Sequence, residues 1–180
     1  MQRSRASKLT AALEARQFVR IHRRFDAFGI RGYVLAVGPT FFLLALVNDR
    51  LRYDGFECFR IADLESIERD PYADFAEAAL RARGLRKPRL PKIKLDSLSE
   101  LLESAARIFP LITVHLEVTE PDICHIGQVV ATNRSQVALL EIGPDAEWES
   151  EATTYRLKDI TRVNFGGDYE GALHLVGGPR

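Results

Sequence analysis

The stretch TYRLKDITRV, Thr154 to Val163, repeats the order of CFRIADLESI, Cys58 to Ile67. In both, an aromatic or Phe position precedes Arg, an aliphatic residue, a spacer, Asp and two further aliphatic positions. The match extends upstream at a displacement of 95 residues: Gly32 to Ala36 falls on Gly127 to Ala131, and Phe42 to Val47 on Val137 to Ile142. Further upstream Val19 to His22 falls on Ile112 to His115, the second copy having gained two residues. Downstream, Asp74 to Leu80 resembles Asp168 to Leu173 with one residue dropped. Self-similarity of this length, with gaps only at expected loops, signals a duplicated unit.

Within a copy the hydrophobic period changes from helical to alternating. Leu9, Ala12 and Leu13 in the first copy, and Leu98, Leu101 and Leu102 in the second, predict an opening helix. In the second copy Ile112, Val114, Leu116 and Val118 are expected on one face of a strand, with Thr113, His115, Glu117 and Thr119 on the other. Two more strands follow, separated by Gly38-Pro39 or by Thr132 to Ser135. A polar loop, NDRLRYDG or GPDAEWESEA, leads to the repeated phrase. There Tyr155 and Leu157 share one face and Arg156 and Lys158 the other, and a tight turn precedes a last strand. A short helix ends each copy, over Pro71 to Arg83 and Asp168 to Val176. Each copy therefore reads helix, five short strands, helix. Strands of this size are expected to curl into a small barrel, which removes exposed edges.

This pattern resembles an Sm-like small barrel: an N-terminal helix, a Gly early in the second strand, an apolar third strand, an Arg-bearing fourth, and a 3₁₀ turn before the fifth. The resemblance covers residues 9–69 and 98–165. The phrase FRIADLESI is also similar, more weakly, to the end of WYL-type ligand-sensing barrels. The resemblance implies tandem Sm-like barrels in a mainly β (α+β) chain, joined edge to edge with like barrels through the fourth and fifth strands. The RNA-contacting positions of the family do not carry over: the turn between the second and third strands reads VGPTFF or TNRSQV, and Ile61 or Leu157 follows the Arg where the family has Gly. Arg60 and Arg156 match by placement alone.

Charge is balanced, with 25 basic and 25 acidic side chains, but it is unevenly spread. Residues 1–80 hold 12 basic and 11 acidic groups; residues 81–94 hold 7 basic and none acidic; residues 95–180 hold 6 basic and 14 acidic. The segment RARGLRKPRLPKIK supplies Arg81, Arg83, Arg86, Lys87, Arg89, Lys92 and Lys94 as candidate nucleic-acid contacts, with Arg3, Arg5, Lys8, Arg16, Arg20, Arg23 and Arg24 beside them. The plainer reading, a tether neutralised by the acidic second half, is favoured because aromatic residues are not interleaved with the cations. The boundaries drawn are a first barrel over 1–83, a basic linker over 84–95 and a second barrel over 96–180.

Arg60 and Arg156 each precede an Asp, Asp63 or Asp159, by three residues. Either the Arg faces an anionic ligand with the Asp fixing its fork, or the pair is a structural corner repeated with the fold; the second is favoured. His22 and His115 occupy matching strand positions and are expected to face solvent. Cys124-His125 lacks metal-ligand spacing, and Cys58 reads as an apolar filler. Asp145, Glu147, Glu149 and Glu151 read as a solvated loop, with Trp148 placed there to cover the barrel mouth or meet a partner. No nucleophile elbow, phosphate-cradling loop or paired-carboxylate phrase occurs. The longest apolar run, Tyr33 to Val47, is broken by Gly38-Pro39 and suits two strands better than a membrane span. The expectation is a cytoplasmic, non-enzymatic binding or assembly module without cofactor or metal. Its partners would be copies of itself or another protein, not a membrane. RNA binding through the basic segment and a ligand-sensing regulatory role are the alternatives.

Overall fold

The computed structural model describes residues 2–180, with side chains from Ser4 onward, so the side chain of Arg3 lies outside the described residues. The chain divides into two compact units, residues 1–91 and 92–180. It is mainly β, with ten antiparallel strands and four α-helices among the described residues.

Unit 1 runs α1 (Gln2–Glu14), β1 (Phe18–Arg23), β2 (Ile30–Val37), β3 (Phe41–Val47), β4 (Tyr53–Arg60), a 3₁₀ turn (Ile61–Asp63), β5 (Leu64–Arg69) and α2 (Ala73–Ala82). Its strand order is β5-β1-β2-β3-β4. Strand β3 is buried along most of its length because helices cover both faces of the sheet. On one face Leu9 and Ala12 of α1 meet Val19, Ile21, Val34, Phe42, Leu44 and Phe59. On the other, Ala73, Ala76 and Leu80 of α2 meet Phe18, Tyr33 and Val47. The 3,4-spacing of those α2 residues puts them on one helical stripe, with Asp74 in the first turn and Arg81 in the last to suit the helix dipole.

Unit 2 runs α3 (Leu98–Ala106), β6 (Ile112–His115), β7 (Cys124–Thr132), β8 (Gln136–Ile142), β9 (Trp148–Arg156), a 3₁₀ turn (Leu157–Asp159), β10 (Arg162–Phe165) and α4 (Asp168–Gly177). Its order, β10-β6-β7-β8-β9, is that of unit 1. Helix α3 opens on a Ser97 N-cap: Ser97 Oγ accepts from the Glu100 N–H at 3.3 Å and donates to Glu100 Oε2 at 3.2 Å. It buries Leu98, Leu101, Leu102 and Ala105, the stripe a 3.6-residue period requires. Helix α4 places Leu173 against Leu111, Ile126 and Ile142.

The registers correspond in detail. Val19 pairs with Gly32 and Ile112 with Gly127. Bulges fall between Val34 and Ala36 and between Val129 and Ala131, then between Ala45 and Val47 and between Leu140 and Ile142. Leu51 and Ala146, both at positive φ, close the matching loops. A Cβ on Gly32 would lie 2.1 Å from the Ala45 carbonyl oxygen, and one on Gly127 2.3 Å from that of Leu140. The strand crossing at this point excludes any side chain in either unit.

Three expectations need correction. Neither sheet closes into a barrel: within each unit the order ends on the fourth and fifth strands, and no ladder joins those two. Helices on both faces bury the apolar surface without closure. Strand β6 ends at His115, where the Thr119 and Glu120 N–H groups turn back onto the Leu116 carbonyl; Val118 is therefore 64% exposed and off the core face. Finally, Trp148, Glu149 and Glu151 belong to β9, not to a loop. No helix among the described residues is long and apolar enough to cross a membrane.

Candidate functional site

The repeated phrase forms the end of the fourth strand and the 3₁₀ turn in each unit, so its Arg and Asp are held at a corner. In unit 2 Arg156 Nε donates to Asp159 Oδ2 at 2.9 Å, with the guanidinium side chain 66% exposed. In unit 1 Arg60 is half-buried, and buried Asp63 receives Arg24 Nη2 at 2.9 Å. The structure thus joins Arg156 to Asp159, while the cation on Asp63 comes from just past β1.

Beneath each corner an aromatic residue meets a basic side chain. Phe59 pairs with Phe42 across the ladder, and Tyr155 pairs with Val137 in the same way. Over the Phe59 ring lies the fully buried Arg23, 4.3 Å from the centroid. Its guanidinium grips Asp26 through Nε at 2.7 Å and Nη2 at 2.8 Å, a planar fork that fits a carboxylate. At the Tyr155 ring lies His125, with centroids 4.6 Å apart. His125 Nε2 is 2.7 Å from Glu120 Oε2 and Nδ1 is 3.1 Å from Glu141 Oε2; the Tyr155 hydroxyl donates to Glu141 Oε1 at 2.6 Å. Both ring contacts are hydrogen bonds to carboxylates at once only when the imidazole donates from both nitrogens. Burial first, then the bond to Glu141, pushes the Tyr155 hydroxyl well above the ordinary phenol range.

Neighbouring Cys124 is exposed; partial burial and Glu170 raise its thiol. Cys58 is fully buried and its thiol is pushed far up, as an apolar filler requires. His22 and His115 are half-buried rather than open to solvent. Among the described residues no group of three or more His, Cys, Asp and Glu is arranged to hold a metal ion. Trp148 packs into the α4 core cluster and donates Nε1–H to the Gly177 carbonyl at 3.1 Å.

The seven cations of the basic segment separate into two groups. Arg83 Nη1 caps the loop before β4, donating to the carbonyls of Arg50 and, at 2.9 Å, of Leu51. Lys87 lies 4.4 Å over the Tyr33 ring, and burial, with Arg16 adding, lowers its pKa. Lys94 meets Glu100 at 3.3 Å. Arg81, Arg86, Arg89 and Lys92 are exposed.

Two strands present an open side. Among the described residues, strand β9 pairs only with β8, and β5 only with β1. The Leu157 N–H donates to the Ser135 carbonyl, the bond that flanks a non-hydrogen-bonded pair, here Gln136 with Arg156. Counting back in twos, Thr154 and Ala152 occupy the same kind of pair, so their N–H and C=O groups point away from β8. By the same rule the bond from the Asp70 N–H to the Phe18 carbonyl turns the backbone groups of Arg69 and Ile67 away from β1. Residues 149–154 of β9 are all exposed.

No protein-family model, curated protein or solved structure matches the chain. The polar groups around Tyr155 were missed in the sequence because they lie far apart in it. A signal was nonetheless present: Ile30, Leu46 and Phe59 of the first copy become His125, Glu141 and Tyr155 in the second, three apolar positions turning polar together on one face.

Proposed function

We propose that the chain is a non-enzymatic assembly module of two duplicated, Sm-like units that joins copies of itself head to tail, β9 of one copy pairing with β5 of the next. The observation that carries this reading is the pair of open strand sides. A nine-residue edge with outward N–H and C=O groups at Ala152 and Thr154 is a template for another strand, and proteins that do not use such an edge normally cover or charge it. The middle of β9, Ala152-Thr153-Thr154, has no charge to block pairing. Counter-charges lie near the opposite edge: Glu149 and Glu151 stand on β9, while Arg5 and Lys8 of α1, with Glu65 of β5 among them, line a groove beside Leu64 to Ile67. Two different surfaces in contact make a heterologous interface, which closes into a ring or runs on as a filament according to its rotation. The matching strand orders, glycines and 3₁₀ turns support the kinship of the two units with Sm-like folds.

Size-exclusion chromatography with light scattering tests the assembly. The expected result is a species of several copies at micromolar concentration, reduced to single chains by Thr154→Pro. That substitution removes an outward N–H and leaves the ladder to β8 intact. A strict monomer for the unaltered chain, or assembly indifferent to Thr154→Pro and to a second change, Ile67→Pro, sinks the reading.

A further inference from the structure

Unit 2 contains a cleft of about 430 Å³ where the start of β7 and the end of β8 meet α4. Asp122, Glu141 and Glu149 line it, with Ile142, Leu173 and Tyr169 as its apolar wall, and no lysine or arginine among its lining residues. His125, the one basic group there, is already held by Glu120 and Glu141. A concave surface with carboxylates on apolar walls concentrates negative potential and selects a cation attached to an apolar body.

The same chain displays such a group. Between Gly84 and Leu95 there is neither helix nor strand, and Pro88 and Pro91 fix the backbone toward the polyproline II form. That helix turns once in three residues, and over residues 85–92 burial follows the period: Leu85, Pro88 and Pro91 are half-buried, whereas Arg86, Arg89 and Lys92 are exposed. Leu85 is anchored in the α2 core of unit 1, and Lys87 is fixed over Tyr33. Three cations therefore stand in a row on one side of a stiff segment, with Leu90, 50% exposed, beside them. Stiffness reduces the conformational entropy lost on docking.

We propose that the cleft of unit 2 binds the cationic polyproline face of residues 84–95 presented by a second copy of the chain. The carboxylates of Asp122 and Glu149 receive Arg86, Arg89 or Lys92, and the apolar wall receives Leu90 or a proline ring. Apart from Glu149, whose side chain stands on β9, this contact uses residues outside the β9 and β5 edges, and it does not require strand pairing.

The test is titration of a synthetic peptide of residues 84–95 into the full chain. The chain carries Arg86→Gln, Arg89→Gln and Lys92→Gln, so that its own segment cannot compete. Trp148, the only tryptophan, pairs with Ile142 of the cleft wall and reports binding by fluorescence. The expected result is a saturable change that weakens about tenfold from low to high salt. It is lost when Asp122→Asn and Glu149→Gln are combined, neither of which touches the His125 contacts. Thr154→Pro in the receiving chain leaves it unchanged, which separates docking from edge pairing. No saturable change, or one indifferent to the two carboxylate substitutions, overturns the proposal. Binding of an RNA oligonucleotide to the unaltered chain but not to the triple variant, with no peptide binding, reassigns the segment to nucleic acid and equally overturns it.

Discussion

Phe59 and Tyr155 sit at the same place in two sheets of the same strand order, yet each is completed by a different polar arrangement. At Phe59 the cation comes from β1: Arg23, fully buried and forked onto Asp26. At Tyr155 the basic neighbour of the ring comes from β7: His125, 17% exposed and flanked by two carboxylates. The β1 position of Arg23 is filled in unit 2 by buried Leu116, and the β7 position of His125 is filled in unit 1 by Ile30, which packs against the α1 core. A basic side chain against this aromatic ring is common to both units; the strand that supplies it is not. The connection before the second strand differs accordingly, since the two residues gained between His115 and Ile126 accompany Glu120, one of the carboxylates on His125.

The largest effect expected from breaking this comparison is at Asp26. Removing the carboxylate by Asp26→Ala strips a fully buried guanidinium of a bidentate partner, and loss of one member of a buried pair costs about 3–5 kcal/mol. Urea unfolding monitored by circular dichroism measures it. Glu120→Ala in unit 2 is expected to cost far less, because Glu120 is 39% exposed and water can replace it at His125. Equal losses at the two sites would show that burial does not distinguish the two arrangements.

Next in size is the glycine pair. Gly32→Ala and Gly127→Ala each push a Cβ onto a neighbouring backbone carbonyl at 2.1 and 2.3 Å, and overpacking against a backbone that cannot rotate away costs about 1–3 kcal/mol. The comparison predicts similar losses in the two units, whose side chains around the glycines differ. A neutral change at one glycine alone, read by the same unfolding curves, would mean that the two crossings are not equivalent.

This part of the molecule was legible because backbone constraints recur at fixed spacing. The repeated phrase located the strand–turn–strand corners, and Gly32 and Gly127 recurred at one place in the second strand of each copy. Closure was misjudged because strand count does not specify how apolar faces are buried; here helices Gln2–Glu14 and Ala73–Ala82 cover both sides of the first sheet. The polar cluster at Tyr155 escaped for a different reason. Glu120, His125, Glu141 and Tyr155 come from a loop and three strands, and only the register of β7 with β8 and β8 with β9 brings three of them together. Taken as the dipeptide Cys124-His125, the histidine has no visible neighbours.

The smallest effect is the most discriminating. Tyr155→Phe gives unit 2 the aromatic residue of unit 1 and removes only the hydroxyl bonded to Glu141. Glu141 is 20% exposed and keeps its contact with His125, so the expected loss near neutral pH is about 1 kcal/mol. The pH dependence carries more information. In the unfolded chain the phenol ionises near 10.0, while in the folded unit burial and Glu141 hold its proton to higher pH. The folded state then retains a proton that the unfolded state releases. The stabilisation is fully present below pH 10.0 and is lost as pH rises toward the folded value. Stability of the unaltered chain should therefore fall more steeply above pH 10.0 than that of Tyr155→Phe, and the two curves should converge. Tyr33 in unit 1, raised by burial and by its bond to Glu77 at 2.9 Å, contributes a slope of the same sign. Tyr33→Phe combined with Tyr155→Phe should flatten the alkaline limb further. Parallel alkaline limbs for the unaltered chain and Tyr155→Phe would show that the hydroxyl titrates alike folded and unfolded, leaving His125 and Glu141 paired without help from the ring that replaces Phe59.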